Sequence, residues 1–171
     1  MSAAFARGRR PVVLIDGRSG AGKTTLGRAL AARLDAQFVS LDDCCPGWDG
    51  LARAAAAVPA MIAGPAPGYR RHDWAAARLA EWVPLSPVTP LVIEGAGALT
   101  PASARLATLR VWVDADEAVR RAAAEARDGD VSAWWRGWAA QEQAHIRDDD
   151  PVGLSDLIVG SASLGPALRA G

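Results

Sequence analysis

A glycine-rich segment near the N-terminus constrains this chain more than any other feature. Residues 17–24 read GRSGAGKT and match the pattern G-x-x-x-x-G-K-[ST] at every specified position. An apolar, β-branched run at residues 12–15 precedes the segment, and leucines four residues apart follow it, as in a helix. A buried strand, a tight turn and a helix in this order let the N–H groups of the turn surround a phosphate. The sequence therefore predicts a phosphate-binding loop.

The chemistry of individual positions extends this prediction to a nucleoside triphosphate. Lys23 is the only lysine in the chain, every other basic residue being arginine. Its compact ammonium group suits the space between the β- and γ-phosphates, where a planar guanidinium is not interchangeable. The hydroxyl of Thr24 suits Mg²⁺, which takes one or two protein oxygens. We expect ATP and Mg²⁺ to bind here, the nucleotide being held by Gly17, Ser19, Gly20, Ala21, Gly22, Lys23, Thr24 and Thr25.

Composition limits the remaining possibilities. The 171 residues carry 19 basic and 19 acidic side chains, and a net charge of zero argues against a nucleic-acid-binding face. No apolar run approaches the roughly 20 residues of a membrane span, and residues 1–10 lack the apolar segment of a secretory leader. The adjacent Cys44 and Cys45 suit free thiols. We expect one cytoplasmic domain over residues 1–171, with residues 1–10 as a flexible N-terminus and no nucleic-acid or membrane partner.

Short apolar strands alternate with helical patterns along the chain. Strands are expected at residues 12–15, 38–41, 91–93, 109–113 and 157–159. Helices are expected at residues 22–34, 73–83, 101–107, 116–127 and 132–147. An alanine-rich stretch covers residues 51–58, and a loop is expected at 59–69. The alternation predicts an α/β fold with a mostly parallel five-stranded sheet.

Two carboxylates follow expected strands directly. Asp42 follows the second strand and Glu94 the third. Because the carboxyl ends of parallel strands meet at one edge of a sheet, both should face the ligand crevice. A carboxylate there can hold magnesium or accept a proton from an attacking hydroxyl, although Asp42 could also serve only in a cap or a solvated turn. Thr24, Asp42 and Glu94 are therefore the candidate magnesium ligands, and a purely nucleotide-binding module would not need this pair.

These segments together resemble the uridine kinase-like branch of P-loop kinases over roughly residues 11–160. The motifs that carry the resemblance are DGRSGAGKTT at 16–25, SLDD at 40–43, VIEG at 92–95 and RD at 127–128. The resemblance implies a three-layer α/β/α P-loop NTPase fold with a small lid near residues 128–136. It also implies that Asp42 accepts the proton of the acceptor hydroxyl and that Glu94 helps to organise magnesium with Thr24. Arg127 would neutralise charge on the transferred phosphoryl group, and Lys23, Asp42 and Arg127 are the expected catalytic residues.

The chain departs from the family at the acceptor side. Cys44-Cys45 stand where family members have an aromatic pair, and the nucleoside-binding insert is reduced. A small-molecule hydroxyl is therefore the expected phosphoryl acceptor, with a nucleoside as one candidate. A sugar, a shikimate-like acid or an antibiotic is the alternative, and a non-catalytic nucleotide-binding or regulatory NTPase module is a further one. Oligomeric state is not predicted.

Seven tryptophans dominate the aromatic residues. Trp134, Trp135 and Trp138 lie within about one helical turn and suit either core packing or a stacking wall for a planar acceptor. The segment at residues 69–74 mixes aromatic and basic groups, as an acceptor loop or a solvated turn would. The candidate acceptor residues are Trp48, Tyr69, Arg70, Trp74 and Trp135. His145 is expected in solvent, and Arg120 and Arg121 either on a solvent-facing helix surface or in the lid.

Overall fold

The computed structural model describes residues 10–160, so the N-terminal segment expected to be flexible lies outside the described residues apart from Arg10. The strands are β1 (Val12–Gly17), β2 (Gln37–Ser40), β3 (Gly68–Asp73), β4 (Arg78–Pro84), β5 (Leu91–Glu94), β6 (Leu109–Asp114) and β7 (Leu157–Gly160). The helices are α1 (Lys23–Leu34), α2 (Leu51–Ala63), α3 (Pro101–Ala104), α4 (Glu117–Asp128), α5 (Trp135–Asp149) and α6 (Pro151–Leu154).

Five of the strands form one sheet in the order β2-β5-β1-β6-β7. Every neighbouring pair in this sheet is parallel. The expected α/β fold with a five-stranded parallel sheet is confirmed. The loop after β1 lies at the centre of the sheet, because β5 and β6 flank β1 on its two sides.

Alternate residues of the buried strands pack against helices on opposite faces of the sheet. Val12 and Leu14 pack in one apolar cluster with α2 residues such as Val58 and Met61. Ile15, one position on, packs with Ala31 of α1. A strand covered on both faces needs apolar side chains at every position, which explains the unbroken apolar run before the glycine-rich segment. The result is the expected three-layer arrangement.

The largest difference from the sequence prediction lies between α2 and β5. The helix expected at residues 73–83 is wrong, because the chain forms the antiparallel hairpin of β3 and β4 there. Alanine-rich residues 75–77 form its turn, in which Asp73 Oδ1 accepts from the N–H of Ala76 at 3.0 Å. The helix preference of alanine is weak, and here the pairing of β3 with β4 outweighs it. A cross-strand ion pair between Arg71 and Glu81 at 3.0 Å contributes to that pairing.

The loop expected at residues 59–69 is also partly wrong. Helix α2 continues through Pro59 to Ala63, and β3 begins at Gly68. A proline inside a helix removes one backbone hydrogen bond. Continuing the helix buries Met61 and Ile62 against the sheet, and this burial offsets the lost bond.

Candidate active site

The glycine-rich loop joins the end of β1 to the start of α1. Gly20 and Gly22 adopt φ angles of 79° and 98°, in the left-handed region that favours glycine, and Gly22 is the N-cap of α1. A Cβ at Gly20 would lie 2.0 Å from the carbonyl oxygen of Arg120. The loop therefore passes close against α4, and a side chain at Gly20 cannot be accommodated.

Lys23 and Thr24 begin α1 directly after the loop. The Nζ of Lys23 donates to the carbonyl oxygen of Arg18 at 3.0 Å, so the ammonium group lies over the loop backbone. The hydroxyl of Thr24 donates to Oε1 of Glu94 at 3.1 Å. The Thr24 hydroxyl thus connects the start of α1 with the end of β5, while Lys23 bonds within the loop.

Glu94 is the most deeply buried of the predicted site carboxylates, with 2% of its surface exposed. Burial raises the pKa of Glu94 above its ordinary value, and the opposing charge of nearby Lys23 lowers it only in part. A buried carboxylate that faces a threonine hydroxyl at a phosphate loop fits Mg²⁺, which needs few protein oxygens and keeps most of its water. Within residues 10–160 no cluster of three or more His, Cys, Asp or Glu residues could hold a metal by itself.

Asp42 lies in a short 3-10 helix, Leu41–Asp43, that follows β2, and its side chain is exposed. The indole N–H of Trp74, near the turn of the hairpin, donates to the carbonyl oxygen of Asp42 at 2.9 Å. This bond links the hairpin to the residue that the resemblance marks as proton acceptor.

Arg127 ends α4 and forms a bidentate pair with its neighbour, donating to the two carboxylate oxygens of Asp128 at 2.7 and 2.6 Å. The Asp128 carboxylate raises the pKa of Arg127 above its ordinary value, and the charges of Asp42 and Glu94 contribute in the same direction. The guanidinium group therefore lies within the electrostatic field of the two predicted site carboxylates.

One cavity of about 930 Å³ connects these groups. Its lining residues are Ser19, Gly20, Gly22, Lys23, Thr24, Thr25, Arg28, Ser40, Asp42, Asp43, Trp48, Trp74, Glu94, Ala96, Ala123, Arg127, Asp128, Asp130, Trp134 and Trp138. The three predicted catalytic residues and the three predicted magnesium ligands are all among them. Gly17 and Ala21, predicted to hold nucleotide, are not among the lining residues: Gly17 ends β1, and Ala21 packs in the apolar core.

The predicted acceptor residues divide into two groups. Trp48 and Trp74 line the cavity, whereas Tyr69, Arg70 and Trp135 do not. Tyr69 is buried in the core beneath the hairpin. Arg70 is exposed and donates to the carbonyl oxygen of Ala80 across the hairpin. Trp135 packs in a separate apolar cluster beside α4.

The tryptophans at the start of α5 differ in their surroundings, and the role of a stacking wall for an acceptor stays a prediction. Trp135 is core, while Trp134 and Trp138 line the cavity. Trp48 stacks on Trp134 with ring centroids 4.9 Å apart and meets Trp138 edge-on at 6.3 Å. Helical spacing alone could not separate these positions, because the surroundings of each indole depend on tertiary packing.

A buried charged network beneath the loop was missed by the sequence reasoning. Asp16 accepts from the backbone N–H groups of Gly17, Gly97 and Leu99 at 2.7, 3.2 and 2.8 Å. His145 meets Asp16 Oδ2 through Nε2 at 2.9 Å. The signal was available, because Asp16 follows a buried apolar strand just as Glu94 does, and such a charge needs a partner.

The expectation that His145 is solvated is wrong. Its ring is buried between Asp16 and Asp149, which lies 2.8 Å from Nδ1. Burial by itself would lower the pKa of His145, but the two carboxylates outweigh burial and raise it above its ordinary value. One turn earlier on α5, Glu142 accepts from the Ser19 N–H at 2.6 Å, so α5 supports the loop at two points.

The surroundings of Arg120 and Arg121 differ. Arg120 is buried, so the solvent-facing alternative is wrong for it; it donates to the carbonyl oxygens of Ala115 and Ser19 at 3.1 and 3.4 Å. Arg121 is exposed and pairs with Glu125 at 2.9 Å. The expected lid at residues 128–136 is a short connection between α4 and α5, and its movement stays a prediction.

Solved structures with the same fold include several kinases. A possible uridine kinase from Bacillus stearothermophilus is 17% identical with a TM-score of 0.62, over 93% of this chain and 91% of that protein. A gluconokinase from Sinorhizobium meliloti 1021 is 18% identical, with a TM-score of 0.52, over 89% and 83% of the two chains. A shikimate kinase from Acinetobacter baumannii, in complex with shikimate, is 16% identical, with a TM-score of 0.52, over 94% and 91%.

At these identities the likeness concerns the fold, and it confirms the three-layer P-loop NTPase arrangement expected from the sequence. No protein-family model matches the chain, and no curated protein matches it. Among the helices of residues 10–160, none has the length and apolar character needed to cross a membrane.

Proposed function

We propose that this protein is an ATP-dependent phosphotransferase that moves the γ-phosphoryl group to a hydroxyl of a small molecule. The observation that supports this most directly is the cavity shared by Lys23, Glu94, Asp42 and Arg127. A phosphate loop alone would fit any nucleotide-binding protein. A carboxylate free to accept a proton and an arginine beside the same loop are what phosphoryl transfer to an acceptor requires.

At the nucleotide end, the loop N–H groups and Lys23 bind the β- and γ-phosphates. Lys23 exchanges its bond to the Arg18 carbonyl for phosphate oxygens. Thr24, Glu94 and Asp42 would hold Mg²⁺, which neutralises charge on the β- and γ-phosphate oxygens when bound. Arg127 covers the charge on the transferred group from the end of α4.

At the acceptor end, the oxygen of the hydroxyl forms a bond to the γ-phosphorus while the bond to the β–γ bridging oxygen breaks. The acceptor proton goes to Asp42, whose exposed carboxylate lies at the carboxyl end of β2. ADP leaves with the bridging oxygen. Catalysis then consists mainly of positioning and electrostatic stabilisation.

The acceptor belongs to the small metabolites. Three structural neighbours are named as a possible uridine kinase, a gluconokinase and a shikimate kinase. Their names suggest a nucleoside, a sugar acid and a cyclic acid as acceptor classes to test. We place the lid at residues 128–136, since Asp130 and Trp134 of this connection line the cavity. A nucleoside and a non-nucleoside metabolite are distinguished by the acceptor screen below.

The decisive experiment measures acceptor-dependent ADP formation across nucleosides, sugars, sugar acids and aminocyclitols. Lys23→Ala should abolish it, because the ammonium group that binds the transferred phosphate is lost. The screen should give one acceptor class that raises ADP formation well above the acceptor-free rate. Slow hydrolysis that no acceptor accelerates would overturn the proposal in favour of a simple NTPase module.

Nucleotide binding has its own test, since Lys23 is the only lysine. Acylation of amines should modify Lys23 and the N-terminal amine alone, and saturating Mg·ATP should protect Lys23. The N-terminal amine is the internal control. Equal modification of Lys23 with and without Mg·ATP would contradict the site.

A further inference from the structure

We infer that the acceptor is a cation, an amino sugar, aminocyclitol or other amino alcohol whose ammonium group is held by the tryptophans and carboxylates of the cavity. This inference rests on the proposed function, since it names the molecule that receives the phosphoryl group. It depends on three features of the cavity: its aromatic wall, the attachment of that wall to Asp42, and its balance of charge.

The aromatic wall consists of Trp48, Trp74, Trp134 and Trp138, which come from the loop after β2, the hairpin and the region at the start of α5. Trp48 and Trp74 leave 51% and 40% of their surface exposed. Their ring centroids are 5.1 Å apart at an interplanar angle of 57°. Exposed indoles gathered from separate elements mark a ligand surface, because a soluble protein rarely leaves such a patch open.

An indole face is the preferred aromatic partner of a cation, because its electron-rich face attracts positive charge. Trp48 and Trp74 are tilted by 57°, so these two rings do not form the parallel walls that would enclose one flat base. A compact charged group with attached carbons does not need such walls. The C–H surface of a saturated ring also packs well on indole. An amino sugar or aminocyclitol supplies both surfaces.

The wall is attached to the catalytic groups through backbone. The Nε1 of Trp74 donates to the carbonyl oxygen of Asp42, and the Nε2 of Gln141 donates to that of Trp48 at 2.7 Å. The position of Trp74 is therefore coupled to that of the proposed proton acceptor. Because Trp74 and Asp42 line the same cavity, a molecule that rests against Trp74 shares that cavity with the Asp42 carboxylate.

The charge of the cavity favours a cation. Its lining includes the five carboxylates Asp42, Asp43, Glu94, Asp128 and Asp130, against the three cations Lys23, Arg28 and Arg127. Lys23 and Arg127 are committed to the phosphates in the proposed reaction. The guanidinium group of Arg28 lies 5.1 Å from the ring centroid of Phe38. An acceptor carboxylate would therefore meet mainly like charge.

Two of those carboxylates have no part in the phosphoryl transfer. Asp43 follows Asp42 in the 3-10 helix, and Asp130 lies in the connection between α4 and α5. The Asp130 carboxylate accepts a hydrogen bond from the backbone N–H of Ser132 at 2.9 Å. This bond lowers the pKa of Asp130 below its ordinary value, so the carboxylate is charged at neutral pH. Arg71 and Arg121 are the basic residues that interact with Asp43 and Asp130. An ammonium group in the cavity brings these carboxylates a further opposite charge, which a neutral acceptor does not supply.

The test uses three pyranoses that differ mainly in charge: glucosamine, glucose and glucuronate. Binding to the full chain with the non-hydrolysable analogue Mg·AMP-PNP is measured by calorimetry, with uridine as a fourth probe. We expect glucosamine to bind about tenfold or more tightly than glucose, and glucuronate to bind weakest. Equal binding of glucosamine and glucose, no detectable glucosamine binding, or tighter binding of uridine would overturn the inference.

Paired variants locate the effect. Trp74→Leu should remove most of the preference for glucosamine over glucose, and Asp43→Asn should weaken it severalfold. Trp82→Leu is the matched control, because Trp82 lies in the same hairpin, is 45% exposed and does not line the cavity. Similar losses in Trp74→Leu and Trp82→Leu would contradict a cation site on the wall.

Failure of this inference and failure of the proposed function give different results. A protein that forms ADP only with a neutral or acidic acceptor keeps the phosphotransfer and loses the cation preference. A protein that prefers glucosamine in binding, but forms no acceptor-dependent ADP with any amino alcohol, keeps the cation site and loses the phosphotransfer. Protection of Lys23 by Mg·ATP reports nucleotide binding independently of both.

Discussion

The two ends of the cavity are built in different ways. The phosphate end is a single contiguous segment, in which Gly20 and Gly22 shape the backbone and buried groups such as Glu142 and Asp16 hold it from beneath. The acceptor end is assembled from Trp48, Trp74 and further side chains that lie on separate elements and remain partly exposed. A contiguous end is specified by local sequence, whereas an assembled end depends on tertiary packing.

This difference predicts how substitutions should behave. Changes at the phosphate end should lower kcat for every acceptor, since the same phosphoryl group is transferred each time. Changes at the acceptor wall should alter KM and the order of preference among acceptors, with little effect on nucleotide binding. The following substitutions test that division, from the largest expected effect to the smallest.

Arg127→Ala should lower kcat by about 10³-fold or more for every acceptor, which is the range for an arginine that stabilises transferred charge. Steady-state ADP formation measures the loss. Arg121→Ala, on the same helix and paired only with Glu125 at the surface, is the control and should be near wild type. A loss confined to KM would place Arg127 in binding and not in transfer.

Asp42→Asn should lower kcat by about 10²- to 10⁴-fold, the usual contribution of a general base. Protection of Lys23 from acylation by Mg·ATP should persist, because the phosphate loop, Thr24 and Glu94 are unchanged and the asparagine amide oxygen can still face Mg²⁺. Asp49→Asn, nearby, exposed and outside the cavity lining, should leave both readouts unaffected. Full activity of Asp42→Asn with the true acceptor would remove this residue from the proton-accepting role.

His145→Gln should destabilise the fold by about 1–3 kcal/mol, because the buried Asp16 carboxylate loses a charged partner. The folded-state pKa of His145 is raised, so its contribution is fully present below the ordinary histidine pKa of about 6.5 and is lost as pH rises through the folded value. The free energies of unfolding of wild type and His145→Gln, measured by denaturant titration, should therefore converge with rising pH.

The control for this substitution is Arg147→Gln on the exposed side of α5, where the partner is Asp148. Arg147→Gln should change the free energy of unfolding only slightly relative to wild type. A difference between wild type and His145→Gln that widened with rising pH would contradict the direction of the pKa shift.

The smallest effect on catalysis should come from the tryptophans, and it should separate Trp48, which lines the cavity, from Trp135, which does not. Trp48→Leu should raise the acceptor KM severalfold and leave stability near wild type, since Trp48 is half exposed. Trp135→Leu should cost about 2–4 kcal/mol of stability and leave the acceptor KM unchanged, because Trp135 is core. Equal KM effects would contradict the division of the cluster.

The contiguous end and the sheet could be predicted from sequence because their signals are local. The glycine pattern needs only residues 17–24, and the apolar run of β1 reports burial on two faces by itself. Asp42 and Glu94 could be placed close to each other because the carboxyl ends of parallel strands meet at one edge of the sheet. Arg127, near the end of α4, was expected only from the family resemblance, and it lines the same cavity.

What could not be predicted depends on distant partners. His145 meets Asp16 across 129 positions of the chain, and nothing in the polar surroundings of His145 in the sequence indicates this contact. The hairpin was missed because alanine-rich residues 75–77 favour a helix locally, while its stability comes from pairing between β3 and β4. Trp134 and Trp135 are adjacent in sequence, and only packing assigns one to the wall and the other to the core.

The hydrogen bond from Trp74 to the Asp42 carbonyl has an evolutionary consequence. The hairpin lies between α2 and β5 and adds no strand to the parallel sheet. Changes in the rest of this ribbon would therefore leave the nucleotide loop and the sheet intact. Under the proposed function, selection could alter the accepted molecule through this ribbon alone, provided that Trp74 and its bond to Asp42 are kept.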